Sequence, residues 1–294
     1  MKRKIENDSI LKERMNDENN MNEKINKINV LFDNLSKKEE KALICYIVGG
    51  YPDAKTSKEI IKTLIESGAD IIEIGIPFSD PMADGPTIQK ASSIALSKGI
   101  TPSTCFEIVN DLKKTFIETP FLFMTYSNIV FSNNLKNFLT LAKKNNIDGF
   151  IIPDLNVEES QEYVRLANKL GLATVFLSAP NTPKKRLLEI ASVSTGFVYM
   201  VSVFGITGTR FNFEKYTFDA VSKTKEIINR FKIPLAVGFG ISNPGDAENM
   251  LRSGADGIII GSSLMKLIMD NENDKEKMLS YLSKFISELK AICK

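Results

Sequence analysis

One carboxylate interrupts an otherwise apolar run at Glu73, within DIIEIGIP (70–77). Burying an ionised carboxylate among isoleucines is expensive. Burial would therefore lift its pKa toward the range useful for general acid–base work. A salt bridge to a helix lysine accounts for such a residue equally well, and the strand pattern alone leaves both readings open. The next stretch, PFSDPMADGPTIQKA (77–91), carries Asp80 before Pro81 and Asp84 before Gly85. Both pairs are turn formers, so Asp80 reads as a turn or capping residue, while spacing alone leaves Asp84 undecided. Glu73, Asp80 and Asp84 are the only carboxylates a metal could draw on here, and nothing nearby adds ligands, so no metal is expected. The chain has 0 histidines. Acid–base chemistry must then fall to Asp, Glu, Tyr, Lys, Cys or a cofactor.

Further chemistry-bearing residues lie later. Tyr199, in GFVYMVSVFG (196–205), reads on pattern alone as an inward core residue. Glycines gather in GITG (205–208), GFG (238–240) and IGSS (260–263), the last adding Ser262 and Ser263. Glycine lets a backbone approach a phosphate closely, and serine adds a hydroxyl. The set points to a phosphorylated substrate, although glycine at ordinary strand-to-helix turns is the plain alternative. The stretch TGTRFNFEKYTFD (207–219) has the polar and aromatic composition of a mobile lid. Cys45, Cys105 and Cys293 form no CxxC pair, which suggests reduced structural thiols rather than a disulfide framework or zinc site.

Eight short apolar runs position these residues: 42–50, 70–77, 121–126, 149–155, 173–180, 196–205, 234–241 and 257–264. Their near-continuous hydrophobicity suits parallel strands buried on both faces. Amphipathic stretches such as SKEIIKTLIESG and LKNFLTLAKKNN separate them, giving strand–helix alternation. ESGADIIEIG and RSGADGIIIG resemble each other, as expected of a repeated unit. Eight such units predict an α/β fold, a closed (β/α)8 TIM barrel over residues 22–294. Apolar spacing at Ile25, Ile28, Leu31 and Leu35 predicts an extra helix before the first strand, and one or two helices close the chain after Leu264. The starts at 70 and 121 lie 51 residues apart and those at 196 and 234 lie 38 apart, against roughly 23 to 28 for most others. Loops after strands 2 and 6 are therefore enlarged, on the barrel end where active sites sit.

Residues 1–21 are polar and read as a poorly ordered extension. They lack the apolar core of a secretory signal, and no apolar stretch is long enough to span a bilayer. With 38 basic against 36 acidic residues, the net charge of +2 supplies no concentrated basic face. Neither nucleic acid nor membrane is an expected partner, and a cytoplasmic enzyme is.

At IIEIG followed by PFSDPMADGPTIQKA the chain closely resembles tryptophan synthase alpha subunits. YIVGGYPD (46–53), Pro153-Asp154-Leu155 with Val157-Glu158-Glu159, Ser202 through Gly208, GFGIS (238–242) and GADGIIIGS (254–262) agree in order. The loop-two motif is long and specific, whereas the glycine motifs occur in many barrels. The resemblance runs from about residue 25 to the C-terminus.

The resemblance implies a lyase that cleaves indole-3-glycerol phosphate to indole and glyceraldehyde 3-phosphate by a retro-aldol reaction. Glu73 matches the general acid–base, Asp84 the carboxylate that binds the indole N–H and stabilises the indolenine cation, and Tyr199 a substrate-positioning tyrosine. Gly208, Gly240, Gly261 and Ser262 match phosphate-site positions. Thr207 matches a lid threonine that closes toward Asp84, and Tyr46, Met124 and Tyr126 match the walls of the indole pocket. The resemblance also implies an αββα complex with a tryptophan synthase beta subunit, which would carry the pyridoxal phosphate; this chain would hold no cofactor. Asn156 stands where the family often has proline, and Val203-Phe204 where some members carry an arginine and a small residue. Rival readings are a sugar-phosphate epimerase, which normally needs histidine ligands, and a lysine-dependent indole-3-glycerol phosphate synthase. Two more lie within the family: a stand-alone indole-releasing lyase and a weakly active subunit kept to activate its partner.

Overall fold

The computed structural model describes residues 26–201, 210–238, 241 and 243–294, with the backbone alone for 210–215. The polar extension expected at 1–21 lies outside the described residues. The elements run α1 (Lys27–Lys37), β1 (Ala42–Val48), α2 (Ala54–Glu66), β2 (Ile71–Gly75), α3 (Pro86–Ser97), α4 (Pro102–Lys113), β3 (Phe121–Met124), α5 (Ser127–Ser132), α6 (Leu135–Lys144), β4 (Gly149–Ile151) and α7 (Gln161–Leu170). After these come β5 (Ala173–Ser178), α8 (Lys184–Val193), β6 (Val198–Val201), α9 (Arg210–Ile228), β7 (Leu235–Gly238), α10 (Pro244–Arg252), β8 (Gly257–Ile260), α11 (Ser262–Asp270) and α12 (Lys275–Ile292). The eight strands pair in chain order, all parallel, and β8 closes on β1. This is the expected (β/α)8 barrel.

Strand side chains alternate between two cores. Ile44, Ile71, Leu122, Ile151, Val175, Phe197, Ala236 and Ile259 point inward and pack together. α1 plugs the N-terminal end of that interior with Ile28, Phe32 and Leu35, and Phe32 lies 5.8 Å from Phe197 between ring centroids. Phe32 rather than Leu31 is the buried third contact, because the 3.6-residue turn carries the apolar stripe round to it. Ile72, Ile74, Phe121, Phe123 and Phe150 point outward and meet the helices.

The loop after β2 is long, as expected, and the extent of the expected lid after β6 is revised. The long step after β2 is mostly an added helix: α3 and α4 each begin with a proline in the first turn, which suits a helix start. The loop itself is confined to 76–85. The expected lid through Asp219 is shortened, because α9 is helical from Arg210. No glycine or proline follows Gly208 in that stretch to stop a helix, and Val221 and Ile228 anchor α9 in the core. Residues 202–209, with Val203, Phe204, Thr207 and Gly208, lie outside the described residues.

At the N-terminal end one clamp recurs four times. Asp70, Asp148 and Asp256 each precede an even-numbered strand and accept from the backbone N–H of the first or second residue of the preceding odd one. The donors are Leu43 at 2.8 Å, Phe121 at 3.0 Å and Leu235 at 2.8 Å. Lys290, Lys113 and Lys225 complete the three pairs. Before β6 the hydroxyl of Thr195 does the same for Thr174 N–H at 3.0 Å, without a lysine. The shared GAD of the two similar segments is thus a strand-to-strand clamp. Lys113 and Asp148 are the most buried of these pairs, with side chains 7% and 8% exposed. Asp148→Ala leaves a buried unpaired ammonium and an orphaned N–H. Its expected cost is about 3–5 kcal/mol, read as a lower urea midpoint at unchanged slope.

Candidate active site

Glu73 shares the inward parity of Ile71, two residues before it on β2. It stands level with Tyr46 of β1 and Leu122 of β3. It is 0% exposed, and neither carboxyl oxygen has a hydrogen-bond partner among the described residues. The lysine-paired alternative is thereby excluded within those residues. Burial, then the nearby Asp84 charge, push its pKa up to about 8. A carboxyl in that state is a neutral acid near neutral pH.

Asp84 reaches the same space from the loop after β2. Burial raises its pKa to about 6, opposed by a hydrogen bond from the Tyr126 hydroxyl. The two carboxyls therefore have different states near neutral pH: Glu73 protonated, Asp84 ionised. Asp80, by contrast, is exposed; its carbonyl accepts from Met82 N–H at 2.9 Å and its carboxylate from the Ser79 hydroxyl. It is a turn residue and does not join the pair. Among the described residues no cluster of three or more Asp, Glu, Cys or His could hold a metal. The three cysteines are unpaired and buried.

Two tyrosines complete the mouth. The pKa of Tyr46 is driven well up by burial, then by the charges of Asp84 and Glu73; Tyr199 is affected by burial, then by Glu73 and Asp84. Each ring occupies space that a glycine leaves open. A Cβ on Gly75 would lie 2.3 Å from the Tyr46 oxygen, and one on Gly238 would lie 2.6 Å from the Tyr199 ring. Met124 and Tyr199, both half-buried, line the upper interior with Leu177, over Ile151 and Ile259. Ile151, Leu177 and Ile259 escaped the sequence reading, although counting by twos along each strand from its inward residues would have found them. Tyr126 is only 3% exposed, and its hydroxyl accepts from Ala83 N–H at 3.0 Å. It holds the loop after β2 as well as standing at the pocket.

Across the mouth, Gly261 caps α11 and sits 3.2 Å (from an added Cβ) from the Tyr46 ring, so the backbone runs close there. Ser262 is the first helical residue and is exposed, while the Ser263 hydroxyl donates to Ile241 O at 2.5 Å. The α11 N-terminus thus presents backbone N–H groups and one open hydroxyl, suited to an anion. Gly240 lies outside the described residues, as do Gly208 and Thr207.

The sequence pattern of the family described as "Tryptophan synthase alpha chain" matches residues 32–294. The chain is 42% identical over 253 residues to the tryptophan synthase alpha chain of Petrotoga mobilis, covering 86% of this chain and 96% of that one. It resembles the solved tryptophan synthase subunit alpha of Legionella pneumophila with a TM-score of 0.84 and 31% identity, covering 92% of this chain and 99% of that one. It also resembles a chain of the tryptophan synthase complex of Pyrococcus furiosus, with a TM-score of 0.76, 37% identity, and coverage of 85% and 98%.

Proposed function

The chain belongs to the tryptophan synthase alpha chain family, and from that membership we propose which of its side chains carry out the chemistry. As an alpha chain it is a lyase of tryptophan biosynthesis that cleaves indole-3-glycerol phosphate. The observation that carries the residue assignment is the pair of unlike carboxyls at the barrel mouth.

Glu73, neutral at working pH, protonates carbon 3 of the indole ring, and the positive charge appears at the ring nitrogen. Asp84, ionised, accepts the N–H and stabilises that cation. Loss of the glycerol hydroxyl proton to the Glu73 carboxylate then lets the carbon–carbon bond break. Its electron pair returns to the ring, indole leaves, and the former hydroxyl carbon becomes the aldehyde of glyceraldehyde 3-phosphate. Tyr199 positions the substrate beside Glu73. Tyr46, Met124 and Tyr126, with Leu177, bound the indole pocket. The phosphate lies against Gly261, Ser262 and the α11 N-terminus, with Gly208 and Gly240 as further contacts, and Thr207 closes over Asp84. Residues 22–294 form one domain.

The partner is a beta chain in an αββα assembly, to which any pyridoxal phosphate belongs. Support comes from the relatives' solved complexes, named as tryptophan synthase. Exposed apolar side chains near the mouth, Met82 at 83% and Phe131 at 44%, suit a covered surface. Among the described residues no helix is long and apolar enough to cross a membrane.

The test is indole release from indole-3-glycerol phosphate by the purified chain, with and without a beta chain. No indole under either condition would sink the assignment. The rate is expected to be bell-shaped in pH. It falls below about 6 as Asp84 is protonated and above about 8 as Glu73 loses its proton. A flat profile across that window, with chemistry rate-limiting, would contradict these roles.

A further inference from the structure

The stretch from Ile76 to Gly85 has no strand or helix of its own, yet Asp84 must meet charge at one ring nitrogen. Local turns hold part of it: Asp84 N–H donates to Pro81 O at 3.1 Å, and Gln89 donates to Asp84 O at 2.8 Å. Beyond these, three contacts meet at Tyr126. Its hydroxyl accepts from Ala83 N–H at 3.0 Å, on the residue next to Asp84, and it interacts with the Asp84 carboxylate. Its ring stacks on Phe78, with centroids 5.1 Å apart and planes at 28°.

Tyr126 is itself held from both sides. Thr125 N–H donates to Ile151 O at 3.0 Å. Ser127 donates its N–H at 2.8 Å and its hydroxyl at 2.7 Å to the two oxygens of Asp154. Asp154 belongs to the Pro153-Asp154-Leu155 motif, which the chemistry above leaves without a role. A carboxylate there holds the first turn of α5, and Tyr126 is that helix's cap residue.

We propose that Tyr126, anchored through Ser127 by Asp154, is the positioning residue that aims the Asp84 carboxylate at the substrate ring nitrogen. This rests on the role assigned to Asp84. Loops after β2, β3 and β4 then act as one unit, in which the Tyr126 hydroxyl spends its bonds on the protein.

Tyr126→Phe keeps the ring and its stacking and removes only the hydroxyl. In the full chain kcat is expected to fall about 10–100-fold, the value of a hydrogen bond to a charged group, with KM nearly unchanged. Added to Asp84→Asn, the same substitution is expected to cost nothing further, since its effect runs through Asp84. Asp154→Ala is expected to lower kcat in the same way; wild-type kcat in that variant would remove Asp154 from the relay. A second readout does not need activity: the Asp84 titration, followed by carbon-13 NMR of the aspartate-labelled full chain. Asp84 shares its space with Glu73 of β2, Tyr46 of β1, Tyr199 of β6 and Tyr126, with Asp154 beyond. Only the Tyr126 hydroxyl, whose influence lowers the Asp84 pKa, is removed, so the Asp84 midpoint is expected to rise above its value of about 6. Losses that multiply with Asp84→Asn, or an unmoved Asp84 titration, overturn the inference. A wild-type chain that forms no indole would sink the functional reading instead, and the titration would still decide the positioning.

Discussion

Glu73→Gln is expected to abolish indole formation, lowering kcat by about 10²–10⁴-fold or more while KM moves little. The amide has nearly the volume of the carboxyl, and Glu73 makes no hydrogen bond among the described residues that the change would break. Substrate binding is therefore kept, and what disappears is the proton delivered to carbon 3. The same substitution is expected to stabilise the fold in alkali. The folded-state pKa of Glu73, about 8, lies above its ordinary 4.5. Its favourable contribution is thus fully present below 4.5 and is lost as pH rises through 8. Glutamine does not titrate, so the thermal midpoint of the variant should exceed wild type above pH 8, with the gap closing toward pH 4.5. Activity lost together with alkaline stability gained identifies a buried acid. Retained indole release would remove Glu73 from the chemistry whatever the melting curves show.

Asp84→Asn has the second largest expected effect, a fall of about 10²–10³-fold in kcat, the usual cost of removing one preorganised group that faces developing charge. Its pH profile separates this from a mere loop disturbance. The acidic limb should vanish, because asparagine has no proton to lose near pH 6. The alkaline limb should move to lower pH, because the Asp84 charge is one of the two influences holding the Glu73 pKa up. Burial, the larger one, remains, so the limb shifts without returning to an ordinary carboxyl value. Rate–pH profiles of the two proteins check both limbs. An alkaline limb that stays in place would mean that Asp84 and Glu73 do not share a site.

Much of this was legible in the chain. Eight apolar runs separated by amphipathic stretches became eight strands in order, because a parallel strand buried on both faces must be apolar throughout. Glu73 stood out because a carboxylate in such a run carries a desolvation cost, and the loop-two motif marked Asp84 beside it. Loop boundaries were less legible. The end of the lid depended on Val221 and Ile228 packing α9 into the core, and the long step after β2 depended on two proline-started helices. Tyr126 shows the limit most clearly. The family resemblance implies an aromatic wall, and only the fold shows the Tyr126 hydroxyl holding Ala83 beside Asp84.

By itself, then, the sequence determined the barrel, the order of its strands, and Glu73 as a carboxylate to examine, while Asp84 was marked only by the resemblance of the motif after the second strand. The barrel and Glu73 follow from residue type and period along one chain, where burial preference and strand alternation act locally. Only the tertiary structure decided that Glu73 faces inward without a partner. The same is true of Asp84 approaching it across the mouth, Gly75 and Gly238 making room for Tyr46 and Tyr199, and Asp154 holding Ser127. Each joins residues from different strands or loops. Their pKa values and orientations are set by what closes around them in space, and closure of the barrel brings those neighbours together.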